Sequence, residues 1–99
     1  MKLIENNIQH IFALCQKYKV SKLFVFGSIL TDRFNHDSDI DFLVDFKNNE
    51  IDDRFLNFFD FKYALQDLLG RDVDLVEGEV VSNPYFKQEL EKTKHLIYG

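Results

Sequence analysis

The sequence predicts a two-layer α+β (α/β) domain built on a small mixed sheet of about three strands flanked by helices. Two observations carry this prediction. Apolar, strand-like runs end in turn-forming residues at three places: before Gly27, before Lys47 and after Gly70. Between and around them, apolar residues recur at helical spacing. Ninety-nine residues suffice for one core and not for two, so residues 1–99 read as a single domain.

Taken in order, Ile4, Ile8, Ile11, Phe12 and Cys15 form one apolar stripe, which predicts an amphipathic helix over residues 3–18. Cys15 lies on that stripe as a small core residue. Residues 22–27 are the first strand, and Ser28 to about Arg33 a short helix. Asn35-His36-Asp37-Ser38 is turn chemistry. A second strand runs from Asp39 to Phe46. Asp52 or Asp53 caps a helix that runs to Leu69 and is stopped by Gly70. Its apolar residues, from Phe55 through Phe58, Phe59 and Phe61 to Leu69, are more than one core face requires. Two readings stand, a dense aromatic core or a docking face. Arg71 to Val76 is the third strand. Asn83-Pro84 starts a last helix, read to about Tyr98 with Phe86, Leu90 and Ile97 inside.

Composition excludes several classes. Twelve basic and seventeen acidic residues give a net charge of −5, which argues against a broad, non-specific grip on nucleic acid. One cysteine allows no internal disulfide and suits a reducing compartment. No apolar run approaches the roughly 20 residues that span a bilayer, so no membrane role is expected. The N-terminus has no signal-peptide core. A cytoplasmic protein is the expectation.

The chemistry concentrates between Gly27 and Asp41. Asp39 and Asp41 stand two apart on a strand and so share a face, while Ile40, Phe42 and Val44 take the other. Adjacent carboxylates repel unless a cation sits between them. The hard oxygen donors suit Mg²⁺, above all where phosphates complete its shell. Gly27 lets backbone approach a ligand, and Ser28 with the N–H groups after it can face an anion. Asp74, a lone charge inside Val73-Asp74-Leu75-Val76, is the third candidate carboxylate and a candidate general base. Asp37-Ser38-Asp39-Ile40-Asp41 also matches the start of a calcium loop, but Phe42 stands where glycine is required and Asn48 where glutamate is. His10, His36 and His95 lack zinc spacing. Arg33 is either a phosphate contact or a surface residue.

With these residues in hand, the chain resembles the minimal nucleotidyltransferases of the DNA polymerase β-like superfamily. Their mark is Gly-Ser, about ten residues, then Asp-x-Asp, here Gly27-Ser28 and Asp39-Ile40-Asp41. Phe24-Val25-Phe26, Arg71-Asp72-Val73-Asp74-Leu75-Val76, Asn83-Pro84-Tyr85-Phe86 and His95-Leu96-Ile97-Tyr98 extend the likeness over nearly the whole chain. The resemblance implies that Gly27 and Ser28 hold a nucleoside triphosphate, ATP in particular. It implies that Asp39, Asp41 and Asp74 bind two Mg²⁺, with Asp74 also activating an acceptor hydroxyl. One departure is plain: the family commonly has Ala-Arg-Gly where this chain has Leu30-Thr31-Asp32, with Arg33 beyond.

Family members of this size resemble antitoxins of two-gene pairs whose partner is a HEPN-type toxin. The resemblance implies transfer of AMP to a tyrosine hydroxyl of that toxin, neutralising it. Two other readings stay open: an antitoxin that only binds and occludes its partner, and a small-molecule nucleotidyltransferase, for which a homodimer would supply the pocket.

Overall fold

The computed structural model describes residues 1–99. The predicted first helix is two. α1 (Lys2–Asn6) and α2 (Ile8–Lys17) break at Asn7, whose side-chain amide donates to the Leu3 carbonyl at 2.8 Å. That side-chain bond competes with the helical backbone, which is why asparagine interrupts helices. The apolar stripe survives the break, with Ile4, Ile11 and Cys15 all buried.

β1 (Val20–Phe26) runs into a single 3₁₀ turn over Gly27–Leu30. β2 (Ile40–Phe46) leads to α3 (Arg54–Leu69). The α3 cap is Asp53, whose carboxylate accepts from the Leu56 N–H at 3.0 Å, and the helix ends at left-handed Gly70. β3 (Val73–Glu77) and α4 (Pro84–Thr93) follow. Asn83 caps α4 by accepting from the N–H groups of Tyr85 and Phe86.

One expectation is corrected. Residues 95–98 do not continue the last helix; Lys94 turns extended, and β4 (His95–Tyr98) forms a fourth strand. The sheet therefore has four strands, in the order β3-β2-β1-β4. β1 pairs antiparallel with β2 and with β4, while β2 and β3 are parallel. A parallel pair needs a crossover, and α3 supplies it.

Alternation sorts the sheet into two faces. Leu23, Val25, Ile40, Phe42, Val44, Val73 and Leu75 face α2 and α3 and form the main core with Ile11, Cys15, Phe61 and Leu65. Phe24, Phe26, Asp41 and Leu43 alternate with these and take the other face. There α4 lies across the sheet: Leu43 and Leu90 are buried outside the main core, and the Phe26 and Phe86 ring centroids are 6.2 Å apart. Within the phenylalanine-rich stretch of α3, Phe61 is core, whereas Phe55 is 76% exposed and touches Phe59 in a tilted contact. No helix is long and apolar enough to cross a membrane.

Candidate active site

The Gly27 turn is shaped against Asp41. Gly27 has φ +77°, in the left-handed region, and a Cβ there would collide with the Asp41 carboxylate. Two independent reasons thus hold glycine at this position. The backbone N–H of the next residue, Ser28, lies beside the Asp41 carboxylate and favours its charge. The turn is closed from within by Thr31, whose N–H and Oγ1 both donate to the Ser28 carbonyl, at 2.9 and 2.8 Å. Thr31 Oγ1 also accepts from the Arg33 N–H at 3.2 Å. The residue that stands in the place of the family arginine is therefore a turn closure. Asp32 borders a pocket against Met1, Lys2 and Leu3, which none of the three candidate aspartates lines.

Asp41 sits in a row across the sheet. Phe26 is its register partner on β1 and Asp74 on β3. Asp41 and Asp74 are opposed in register, so their carboxylates share one sheet face and Asp74 acts on Asp41 by its charge. Burial, first of all, raises the Asp41 carboxyl above its ordinary value; the charges of Asp74 and then Asp39 raise it further, and the Ser28 N–H opposes them. Asp39 lies just outside the strand predicted to contain it, exposed, at the residue before β2 begins. It is near enough to act on Asp41 by charge. No three acidic, histidine or cysteine side chains converge tightly enough to form a ready ligand set. The donor set still fits a divalent cation: all-oxygen ligands, two already paired, and a carboxyl whose charge its neighbours oppose.

The remaining residues fall outside. Asp72 is exposed, and its carbonyl accepts from the Ile40 N–H at 3.1 Å. Asp37 is a turn residue whose N–H donates to Asn35 Oδ1. Arg33 is exposed and holds no carboxylate. Cys15 is fully buried, and burial pushes its thiol up to about 12.

Sequence reasoning missed Arg71. Its guanidinium donates to the carbonyls of Asn35 and Ser38, at 3.0 and 3.1 Å, and lies 4.6 Å from the Phe34 ring centroid. It thereby ties the 34–38 loop, which delivers Asp39, to the base of β3. No local pattern marks such a residue, because its partners are a loop over thirty positions earlier.

A glycine turn packed on an aspartate of a four-stranded mixed sheet, with helices on both sides, is the frame of a nucleotidyltransferase domain. The chain belongs to that family: the model described as "Polymerase beta, Nucleotidyltransferase" matches residues 6–99. It is 42% identical to a candidate protein adenylyltransferase of Methanocaldococcus jannaschii over 91% of this chain and 87% of that one. A second protein of that description from the same organism is 36% identical over the same shares. Among solved structures, a candidate minimal nucleotidyltransferase aligns with a TM-score of 0.79 and 26% identity, covering 95% of this chain and 92% of that one. A chain from a complex of tri-AMPylated Shewanella oneidensis HEPN toxin with an MNT antitoxin shares the fold, with a TM-score of 0.68, 23% identity, and coverage of 96% and 71%.

Proposed function

We propose that this chain is the antitoxin of a toxin–antitoxin pair and acts by transferring AMP from ATP to a tyrosine hydroxyl of a HEPN-type toxin. The observation that carries the reading is the Gly27–Ser28 turn packed directly on the Asp41–Asp74 pair. It sets a close backbone approach and the Ser28 hydroxyl for phosphate beside carboxylates for a cation. The descriptions of the relatives and of the structural neighbours support the reading.

Gly27 and Ser28 take the triphosphate, since no side chain at residue 27 blocks its approach. Asp39, Asp41 and Asp74 would hold two Mg²⁺, which when bound supply positive charge to the triphosphate and to the developing alkoxide. Asp74, exposed on the edge strand β3, faces an incoming acceptor and takes the proton of its hydroxyl. The acceptor oxygen forms a bond to the α-phosphorus, the bond from that phosphorus to the β-phosphate bridge breaks, and pyrophosphate leaves.

One observation favours a second reading, in which the chain neutralises its partner by occlusion alone: Thr31 closes the turn where the family commonly has an arginine, and Asp32 follows it. Intact mass separates the two. The chain is co-expressed with the product of the gene beside it, and that product is incubated with ATP and Mg²⁺. AMP-sized mass gains on the partner, lost with Asp39→Asn, are expected. A stable complex without a mass change would establish occlusion instead.

A further inference from the structure

A pocket of about 640 Å³ opens between the Gly27–Leu30 turn and α4. Its walls are Phe26, Leu30, Phe86 and Leu90, with Glu89 and Thr93 among the lining. Small-ligand sites span roughly 300–1,000 Å³ and combine apolar walls with a few polar groups. Phe26 is the register partner of Asp41, and directly opposed residues share a sheet face. The pocket therefore lies on the same face as the carboxylates and meets them at Gly27, which lines it.

Phe86 is 41% exposed, while Phe26 is half-buried beneath it in an edge-on contact with interplanar angle 69°. Phe86 is thus braced on Phe26 and still presents ring surface to the pocket. The backbone under Phe86 is fixed by the Asn83 cap, which accepts from the Phe86 N–H at 3.2 Å. The transfer reading orients the occupant. The triphosphate lies at the Gly27 turn, beside the cation that the carboxylates would hold, which leaves the uncharged part of the nucleotide for the Phe86 end.

We propose that this pocket holds the nucleobase of the donor nucleoside triphosphate, stacked on Phe86. The proposal rests on the nucleotidyl-transfer reading and adds where the base sits. The test is calorimetric titration of the full chain with Mg²⁺ and either ATP or tripolyphosphate, which has no base. Loss of one base–aromatic stack weakens binding roughly 5- to 150-fold. Phe86→Leu, which keeps apolar packing on Phe26, and Phe86→Ala should both lose ATP affinity in that range. Both should bind tripolyphosphate within about twofold of the parent, and Phe86→Tyr should retain ATP. ATP affinity unchanged in Phe86→Leu and Phe86→Ala overturns the proposal and leaves the transfer reading standing. Equal loss for both probes also overturns it, because Phe86 then serves phosphates or the fold. If the parent binds neither probe, the transfer reading fails and this proposal with it.

Discussion

Asp41 is held in conflict at the residue scale. It is half-buried beside Asp74, and only the Ser28 N–H favours its charge. Its native pKa is raised, so the folded state keeps a proton at pH values where the unfolded chain has lost it. The contribution of this group to stability is therefore greatest in acid and falls as pH rises through the native pKa. In EDTA, Asp39→Asn with Asp41→Asn should melt at or above the parent temperature at neutral pH. The variant should also show a shallower loss of stability between acid and neutral pH, and no nucleotidyl transfer. Melting several degrees lower would mean that these carboxylates serve the fold. Gly27→Ala meets the opposite situation. A left-handed backbone costs a non-glycine residue about 1–2 kcal/mol, and the new Cβ must also displace Asp41. Urea titration should show at least that loss, and transfer should fall with it.

At the scale of elements, the site depends on how β2 is entered. The loop before it is held by Arg71 through two carbonyls and the Phe34 ring, so its geometry belongs to β3 as much as to β2. Arg71→Ala should cost about 1 kcal/mol, given partly exposed hydrogen bonds and a cation–π contact. Hydrogen exchange should report it locally, as faster exchange of the Ser38 N–H, which donates to Asn35, with little change in the α3 core. A uniform acceleration across the sheet would make Arg71 a global stabiliser. Thr31 belongs to the same scale: its closure of the 3₁₀ turn gives that position a local task unrelated to phosphate.

For the whole molecule, two faces of one sheet divide the labour. α2 and α3 bury the core face, and the other carries Asp41, Phe26 and the pocket under α4. Ligand binding to that second face should stabilise the native state as a whole. Mg²⁺ with ATP should raise the melting temperature, adding about 2.7 kcal/mol of stability at a hundredfold excess over Kd, and Mg²⁺ or ATP alone should add less. No shift at millimolar concentrations would weaken the enzymatic reading.

The sequence by itself determined every element whose cause is local. Asp53 and Gly70 bound α3, Asn83 starts α4, and alternation along β2 separates Asp41 from the core. It also placed Gly27 and Asp41 in one site, because the spacing between two strands that pair antiparallel is itself local. Tertiary structure decided the rest. Leu96, Ile97 and Tyr98 are compatible with a helix, and they become β4 because β1, at the other end of the chain, offers them an open edge. Asp39 falls just before the strand, and Asp41 meets Asp74 only because β2 and β3, separated by α3 in the chain, pair in register. Arg71 and Phe86 acquire their surroundings only when distant segments meet. Hydrophobic periodicity is written in neighbouring residues, whereas hydrogen bonds, register and electrostatics across the sheet exist only once the chain has closed on itself.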